Sequence, residues 1–589
     1  MENRRVVIIG AGPAGLTAAY QCVKQGIQPL VLEGGDKVGG IARTETYKDY
    51  YFDIGGHRFF TKIEKVDQLW REVLGENFLK VPRMSRIYYR GKFYNYPLRL
   101  FNALFNLGLW ESILIVLSYF KSQIWPYPQE ETFEQWVSNR FGDRLYRTFF
   151  KTYTEKVWGI PCHQIRADWA AQRIKGLSLF AAVANALFGT RKAKTLIDEF
   201  DYPLRGPGMM WQRFKEAVEA GGGQVLLNTR VVSVESENGH VTGLTYIRNG
   251  KTEKIAADHV LSSAPITRLA AMLNPKAPDE VAEAAGNLSY RAFMIVVLII
   301  AKRFLFPDQW IYIHNPGTKV GRIQNFKNWS AALVPDPEKT SIGMEYFCNE
   351  GDELWNLPDA ELTAIAVREL SELGLARKED VTDSVVLRQP KAYPVYDHDY
   401  SRHLAVIRSY IESFDNLQTI GRNGMHRYNN QDHSMLTGIL AVRNMMGEKH
   451  DLWKVNEEEE YLEEDSKKEA RLRQLLPEKI LIRTFARIDK LAFATAIGTV
   501  TGLLVFWATL WPALTGGIML PSLHLLGAYF IGYTATVKGA FIALGYSFSW
   551  GFLFGWLFAY LRNLLLGIYL YQAKKKAELL SLRDLLDYL

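Results

Sequence analysis

The pattern of apolar and polar positions opens with a short apolar run, Val6–Ile9, followed by an apolar stretch of helical length. Four consecutive β-branched residues are typical of a buried parallel strand. A second apolar run, Gln28–Leu32, predicts the neighbouring strand. Strand-like and helix-like segments then mix with Gly/Pro turns to about residue 445, and this alternation predicts an α/β body.

The pattern changes near the carboxyl end, where residues 491–537 contain no Asp, Glu, Lys or Arg. Leu491–Trp511 is long enough to cross a bilayer, which needs about 20 apolar residues. Gly539–Leu561 is a second candidate span. Leu520–Val537 is uncharged as well and is open to three interpretations: a further span, a re-entrant piece or an interfacial piece. We therefore predict a membrane domain over 483–589.

A charged segment precedes this domain. Residues 446–482 are dense in both signs of charge, for example in Glu457–Glu460 and Lys467–Arg473. Such a mixture is typical of a solvated helix. We interpret it as a charged helical linker between body and membrane domain.

Cations flank the apolar block on both sides. Arg483, Arg487 and Lys490 precede it, and Arg562 and Lys574–Lys576 follow it. Cationic flanks favour the cytoplasmic side, so an even number of spans is required. We predict a two-span hairpin, a multi-pass membrane protein, and a cytoplasmic catalytic body. The alternative is a very apolar helical core of a soluble protein.

Two further apolar stretches lie inside the body. Leu104–Phe120 carries one charge, Glu111, and Leu177–Phe188 carries none. An apolar helix beside cations suits a bilayer surface, whereas internal helix packing explains the same pattern. Both interpretations stay open. The cations that follow the second stretch are Arg191, Lys192 and Lys194.

Length, charge and cysteines narrow the function classes. The chain has 589 residues and a net charge of +7, small for its length, without a basic cluster interleaved with aromatics. We therefore expect no nucleic-acid partner. Cys22, Cys162 and Cys348 are scattered, so the spacing predicts neither a metal site nor a disulfide framework.

Glycines after the first strand point to a dinucleotide. Gly10, Gly12 and Gly15 form G-x-G-x-x-G between a predicted strand and helix, and the second strand ends at Glu33. In this pattern the glycines allow a tight turn, close approach of a pyrophosphate and helix–strand packing, while the carboxylate suits a ribose hydroxyl. The alternative is a glycine-rich turn in an ordinary βαβ unit.

The next two motifs resemble a known family. Gly39–Thr44 (G-G-I-A-R-T) and Phe52–Thr61 (F-D-I-G-G-H-R-F-F-T) look like the FAD-binding start of the family that contains UDP-galactopyranose mutase, protoporphyrinogen oxidase and the amine oxidases. The resemblance implies FAD as cofactor. It also implies that Arg43 lies against FAD and that His57 lies beside the isoalloxazine.

Further motifs resemble the mutase branch. They are Tyr94–Pro97, Phe141–Tyr146, Lys151–Gly159 (K-T-Y-T-E-K-V-W-G), Tyr393–Asp397 and Ile420–Asn423. The resemblance runs from residue 5 to about 445. Tyr396 stands where the mutase motif has Asn, and the apolar insertions and everything after residue 450 have no counterpart in the soluble mutases. These departures bear on the substrate rather than on FAD.

The resemblance assigns roles to individual residues. Arg173 and Arg322 would hold a diphosphate with planar, permanently charged forks of donors. Tyr393 would hydrogen-bond that diphosphate, and His57 would sit by the flavin. The implied substrate-binding residues are Phe149, Tyr153, Trp158 and Tyr396. The implied cofactor-binding residues are Gly10, Gly12, Pro13, Ala14, Gly15, Glu33, Gly34, Gly39, Gly40, Ile41, Ala42, Arg43, Gly56, His57, Val232, Gly421, Arg422, Asp432 and Met435. No metal is expected.

The sequence thus predicts an α/β protein. A Rossmann-type FAD-binding domain would interleave with a mixed α+β substrate domain over 1–445, followed by the transmembrane hairpin. The resemblance implies that reduced flavin rearranges a sugar diphosphate, either nucleotide-linked or polyprenyl-linked, without net electron transfer. An FAD-dependent oxidase, dehydrogenase or desaturase of a hydrophobic substrate is the alternative, and a degenerate scaffold is the third. Membrane lipid and a flavin-reducing partner are the expected further partners.

Overall fold

The computed structural model describes residues 4–96, 100–167, 199–456, 489–515 and 525–586, with side chains to residue 564. The chain forms two compact units, Met1–Ser466 and Lys467–Leu589. The predicted residues Arg173, Arg191, Lys192 and Lys194 and the stretch Leu177–Phe188 lie outside the described residues, as does most of the predicted charged linker.

A five-stranded parallel sheet organises the first part of unit one. Val6–Ile9 is its central strand, and all four side chains are buried. Burial on both faces explains the continuous apolar run, since helices cover both sides of a parallel sheet. The strands in spatial order are Leu417–Thr419, His259–Ser262, Val6–Ile9, Leu30–Leu32 and Gln224–Leu226. Helices of this part are Pro13–Lys24, Glu64–Leu74, Gly208–Ala220, Ile266–Met272, Asp279–Asn287, Tyr400–Glu412 and Gln431–Met445.

A seven-stranded mixed sheet forms the second part. Its strand Tyr290–Ile300, second from one edge, is buried on both faces, with alternate residues entering two different hydrophobic cores. Only one neighbouring pair, Trp310–Ile313 with Ser85–Tyr89, is parallel. The spatial order is Val381–Pro394, Tyr290–Ile300, Thr340–Cys348, Arg322–Asn325, Trp310–Ile313, Ser85–Tyr89 and Lys92–Asn95.

Smaller elements connect the two sheets. The remaining strands are Thr44–Tyr47 with Tyr50–Asp53, Phe78–Pro82 with Glu199–Pro203, and the four-stranded sheet Lys251–Ala256, His240–Arg248, Thr229–Glu237 and Leu273–Asn274. The remaining helices are Leu100–Leu107, Leu109–Ile124, Phe133–Phe141, Asp143–Tyr146, the π-helical Arg147–Lys151, Thr152–Trp158, Phe326–Trp329, Glu353–Asn356 and Asp359–Glu372. The predicted α/β class with an interleaved mixed part is confirmed.

Of the predicted charged linker, the structure describes residues 446–456, and these pack on the first unit. The helix Gln431–Met445 ends, and Leu452–Lys454 forms a short 3-10 turn whose Leu452 and Trp453 are buried in the core around the parallel sheet. Residues 446–456 therefore belong structurally to the first unit.

The second unit contains two long apolar helices, Lys490–Thr515 and Val537–Leu586. They pack through small residues: a Cβ on Gly498 would lie 2.8 Å from the Phe548 carbonyl oxygen, and one on Gly551 would lie 2.0 Å from Thr501 Oγ1. Thr501 Oγ1 also donates to the Ser547 carbonyl at 3.1 Å. Within the described residues two stretches, Lys490–Thr515 and Val537–Leu564, are long and apolar enough to cross a membrane.

Candidate flavin and substrate site

The glycine loop after the central strand leaves space where a pyrophosphate would approach. Gly10 has a φ of +96°, and a Cβ on Gly15 would lie 1.9 Å from the Gly10 carbonyl oxygen, so both positions require glycine. Gly12 precedes the helix Pro13–Lys24, and the nearest atom to a Cβ there, Gly40 Cα, is 3.8 Å away. Because the protein leaves Gly12 open at a helix N-terminus, the loop fits a bound diphosphate.

A second glycine turn faces this loop. Gly39 N–H donates to the Ala11 carbonyl at 2.8 Å, and Gly40–Ala42 forms a short 3-10 helix. Arg43 fixes the turn, because its Nη1 donates to the Gly40 carbonyl at 2.9 Å and to Gln389 Oε1 at 2.7 Å. The predicted double glycine and arginine are therefore brought onto the glycine loop.

Glu33 is oriented by the backbone. Its two oxygens accept the N–H groups of Ala11 at 2.7 Å and Gly35 at 2.8 Å. Each carboxylate oxygen retains a lone pair, so both could also accept a ribose hydroxyl. A Cβ on Gly34 would meet nothing within 4 Å. Val232 lies at a bulge of its strand, between the paired residues Val231 and Ser233.

The carboxyl-terminal flavin segment reaches the same crevice. Gly421 has a φ of +82°, and a Cβ there would lie 2.9 Å from the Ala14 Cβ. Met435 is fully buried and accepts a hydrogen bond from Trp70 Nε1 at 2.8 Å. Asp432 is buried in the first turn of the helix Gln431–Met445.

Arg422 lies between aromatic rings. Its guanidinium carbon is 4.1 Å from the ring centre of Tyr428 and 4.9 Å from that of Tyr393, distances that suit cation–π contacts. Its Nε is buried and has no hydrogen-bond partner among the described residues. A buried donor of this kind fits an acceptor supplied by the cofactor.

His57 is neutral at pH 7. Burial, together with the positive charges of Arg422 and Arg322, lowers the pKa of His57 to about 4. Its Nε2 donates to the Ile54 carbonyl at 2.7 Å, so Nδ1 is left as an acceptor. The structure therefore brings His57 between the flavin segment and the predicted diphosphate arginine.

Arg322 projects from the mixed sheet into a buried position. It lies opposite Glu345 on the next strand, and its Nε donates to Glu345 Oε2 at 2.5 Å. Glu345 is fully buried and also accepts from Gln324 Nε2 at 2.5 Å. Burial lowers the pKa of Arg322, but the carboxylate and three nearby tyrosine hydroxyls outweigh it and hold the pKa above its usual value. Arg322 therefore stays charged.

Aromatic side chains, which we call the aromatic wall, line the pocket around the Arg322 guanidinium. Tyr153 stacks on His314 at 4.9 Å and 6°. Trp158 stacks on Tyr396 at 6.1 Å, and Tyr396 in turn accepts the Tyr428 N–H at 2.6 Å. Tyr393 stacks on Tyr428 at 5.7 Å and carries the Arg422 contact. Phe149 is buried in the same apolar cluster and packs edge-on against Tyr94 at 5.0 Å.

Lys156, the second lysine of the K-T-Y-T-E-K-V-W-G segment, holds the helix of this wall in place. The three N–H groups of Lys156 Nζ have four acceptors within hydrogen-bond distance, and the nearest is the Asn315 carbonyl at 2.7 Å. Burial lowers the pKa of Lys156 to about 8. The helix that carries Tyr153 and Trp158 is therefore clamped to the loop between the strands Trp310–Ile313 and Arg322–Asn325.

Sequence reasoning missed three polar residues. Gln324 and Glu345 position Arg322, and Arg58 lies 5.2 Å from the Phe200 ring and 5.3 Å from the Trp310 ring. Burial holds the pKa of Arg58 below its usual value. Alternation along the strand puts Gln324 on the same face as Arg322, which was an available signal; the pairing with Glu345 was not.

Comparison with known proteins defines the class. A family described as "Flavin containing amine oxidoreductase" matches residues 13–401, so this chain belongs to that family. FAD is its cofactor. The open Gly12, the paired glycine turn and the unpartnered Arg422 Nε fit that group.

Two curated relatives and one solved structure show the spread of activities. An L-amino-acid oxidase from Crotalus adamanteus is 26% identical over 324 residues, 52% of this chain and 59% of that protein. A probable UDP-galactopyranose mutase from Klebsiella pneumoniae is 28% identical over 179 residues, 28% of this chain and 44% of that protein. The crystal structure of reduced UDP-galactopyranose mutase superposes with a TM-score of 0.68 and 21% identity, covering 78% of this chain and 98% of that one. The chain spans under two thirds of either curated relative.

Proposed function

We propose that this protein is a membrane-anchored flavoenzyme that rearranges an activated sugar with reduced FAD. The observation that carries the proposal is Arg322, a charged guanidinium held by Glu345 inside an aromatic pocket next to His57. An oxidase of amines has no need of such a buried cation, whereas an amino-acid oxidase would use one to bind the carboxylate of its substrate, so the product analysis below includes that case. A sugar diphosphate needs one, since its leaving group gains negative charge as the glycosidic bond breaks.

The chain's residues divide the work. When bound, reduced FAD supplies the nucleophile for the anomeric carbon. Arg322 would hold the diphosphate, and its charge would stabilise that group most when the bond is breaking, because a buried site strengthens the interaction. Tyr393 would hydrogen-bond the same group. Arg173 is the second proposed diphosphate ligand and lies outside the described residues.

His57 and the aromatic wall would orient the reactants. A neutral His57 keeps Nδ1 as an acceptor beside the flavin position, so it would respond to the protonation of the reduced ring. Trp158 and Tyr396 would line the sugar pocket, and Tyr153 would contact the nucleobase or its substitute. The cofactor would lie along Gly12, Gly39–Gly40 and Glu33.

The membrane anchor is the second half of the proposal. In the most apolar 18 residues of each helix, only 17% of Lys490–Thr515 and 22% of Val537–Leu564 are buried. Both helices therefore present apolar side chains outward. A helix of a soluble core would bury that face. We propose two spans with the catalytic unit in the cytoplasm, and a sugar diphosphate that is either nucleotide-linked or carried on a polyprenyl lipid.

Product analysis tests the chemistry. The full-length protein is reduced anaerobically and given nucleotide-linked and polyprenyl-linked pyranose donors, while the flavin spectrum and oxygen uptake are followed. We expect a ring-size isomer to form over many turnovers while the flavin stays reduced. Stoichiometric oxidation or reduction of the flavin by one substrate equivalent would refute the mutase proposal.

One observation supports the alternative, an FAD-dependent oxidase. The match to the L-amino-acid oxidase covers more of this chain than the match to the curated mutase. In the same experiment, an oxidase would consume oxygen with a hydrophobic amine or amino acid and would leave sugar donors unchanged.

A further inference from the structure

The helix Leu109–Ile124 of the catalytic unit exposes an apolar face. Trp110, Phe120 and Ile124 are 73%, 56% and 64% exposed, although each is large and apolar. Soluble proteins seldom leave a contiguous apolar patch uncovered unless it contacts a partner or lipid. The residues that make up this 110–125 face are Trp110, Ile113, Leu117, Phe120, Ile124 and Trp125.

The opposite side of the helix is fixed, so the apolar face cannot turn inward. Arg144 Nε and Nη2 donate to the Glu111 carboxylate at 2.6 and 2.7 Å, and Arg144 N–H donates to Ser118 Oγ at 3.0 Å. Ile115 is buried, and a Cβ on Gly142 would lie 2.7 Å from the Tyr119 nitrogen. The fold therefore holds the 110–125 face outward.

The composition of the face matches the interfacial region of a bilayer. From Phe105 to Tyr127 the chain carries two charges, Glu111, which pairs with Arg144, and Lys121, which is exposed. Trp125 and Tyr127 end the segment and are both exposed. Tryptophan and tyrosine favour the headgroup level of a membrane, and a lysine can reach anionic lipid from there.

We propose that the catalytic unit docks on a lipid bilayer through the 110–125 face, with the helix lying in the plane of the interface. The inference rests on the membrane anchor of the proposed function. That anchor permits it, because the 32 residues between Asn456 and Asp489 could reach at most about 110 Å when fully extended, at ~3.3–3.6 Å each.

The helix that precedes the 110–125 face is hydrogen-bonded to the mixed sheet. Asn102 Oδ1 accepts the Asn95 N–H at 2.8 Å, and Asn106 Nδ2 donates to the Phe93 carbonyl at 2.8 Å. These bonds fix the adjoining helix Leu100–Leu107 to the strand Lys92–Asn95, an edge of the sheet that carries Arg322.

Spin-label depth measurements on the full-length holoprotein test this proposal. Nitroxides are attached at Leu117→Cys, at Leu504→Cys in the first span, and at Lys251→Cys on an exposed strand, in vesicles of phosphatidylcholine and phosphatidylglycerol. The native cysteines Cys22, Cys162 and Cys348 are buried. We expect labels 117 and 504 to be accessible to oxygen and protected from a water-soluble nickel chelate, and label 251 to show the reverse.

The labels distinguish two cases: the 110–125 face does not dock, or the C-terminal helices do not enter the membrane. If label 504 is in lipid and label 117 is in water, docking is wrong while the anchor stands; if label 504 is in water, the anchor itself is wrong. Spin–spin broadening between copies at label 117 would instead assign the face to self-association and overturn docking.

A charge-matched pair of variants tests docking of the 110–125 face without the label at residue 117. With a label at Ile113→Cys, adding Phe120→Glu should move the label into water, because a carboxylate resists insertion. Adding Thr252→Glu, the same charge change on the exposed strand, should not move it. Flavin absorbance of both variants should match that of the parent, since Phe120 and Thr252 are exposed.

Discussion

Arg322 carries a charge into the protein interior because Glu345, on the adjacent strand, lies directly opposite it. Arg322 balances the charge of Glu345 at one carboxylate oxygen, and Gln324 donates a hydrogen bond to the other. Breaking such an arrangement leaves a buried charge without its partner, which is costly. The guanidinium is thereby held rigidly where the substrate would meet it.

Replacing Arg322 should remove activity and leave the flavin bound. Arg322→Ala should lower kcat by about 10²–10³-fold, as expected for loss of one contact to a developing charge. Because this variant strands Glu345, the double variant Arg322→Met/Glu345→Gln should show the same kcat loss with better thermal stability. Steady-state kinetics and flavin absorbance measure both.

Arg388 provides the matched control for this prediction. It lies on a strand of the same sheet but pairs with Asp359 near the surface. Arg388→Ala should leave kcat within about twofold of the parent. Parent-like kcat in both Arg322 variants would place the diphosphate site elsewhere.

A substitution at Gly12 tests cofactor binding without disturbing the fold. A methyl group there would meet no protein atom closer than 3.8 Å, so Gly12→Ala should fold, yet the methyl would occupy the pyrophosphate space. We expect a purified protein with parent-like circular dichroism and little FAD. Gly286→Ala, in an open helical position, should retain its yellow colour; retention of FAD by the Gly12 variant would contradict the proposed cofactor path.

At the scale of elements, the apolar hairpin depends on close helix contact. A Cβ on Gly551 would lie 2.0 Å from Thr501 Oγ1, whereas one on Gly545 in the same helix would meet nothing within 4 Å. Small residues at an interface let helix backbones approach in a membrane, where dispersion replaces the hydrophobic effect.

Gly551→Val should therefore separate the helices, and Gly545→Val should not. Phe493 and Phe558 stack across the pair at 5.8 Å, so cysteines at these two positions should be joined by a short bis-maleimide in vesicles. We expect cross-linking to fall several-fold in the Gly551 variant and to stay at the parent level in the Gly545 variant. Equal cross-linking in both would show that the packing tolerates the added bulk.

The sequence predicted those elements whose structure depends on residues within one short segment. The run Val6–Ile9, the glycines that follow it and the two apolar C-terminal helices were all foreseen. The single apolar stretch Leu104–Phe120 turned out to be parts of two helices broken at Gly108, whose φ is +86°. A run that is apolar on every side does not reveal which face is covered, so its outward orientation required the fold.

The site was predictable only in part, for the same reason. Motifs within one segment, such as Gly39–Arg43 or Tyr153 and Trp158, reached the crevice or its wall. Glu345 was missed because its role arises from strand register across 23 residues of separation.

For the whole molecule, buried histidines make stability depend on pH. Burial lowers the pKa of His426 to about 4, and burial together with the charge of Lys156 lowers that of His314 to about 3. The unfolded chain protonates these groups near pH 6.5, so it binds more protons than the folded chain below that pH. Stability should therefore fall on acidification from about pH 6.5 toward pH 4, by up to roughly 1.4 kcal/mol per pH unit for each histidine.

Denaturant unfolding of the holoprotein at several pH values measures this dependence. His426→Gln should flatten the curve, while His398→Gln should not, because His398 is largely exposed. Burial raises the pKa of Asp53 to about 7, which acts in the opposite direction, so the difference between the two variants is the decisive quantity. Identical slopes for both would contradict the prediction.

The Lys156 clamp has a consequence for the evolution of this fold. Its ammonium holds the helix of Tyr153 and Trp158 to the segment between Ile313 and Val320, and three of the four acceptors are backbone carbonyls. Rings on the pocket side can then be exchanged by mutation while the attachment persists, since a backbone acceptor survives any substitution of its own side chain. A lineage that keeps this lysine is therefore free to drift from one substrate to another without first losing its architecture.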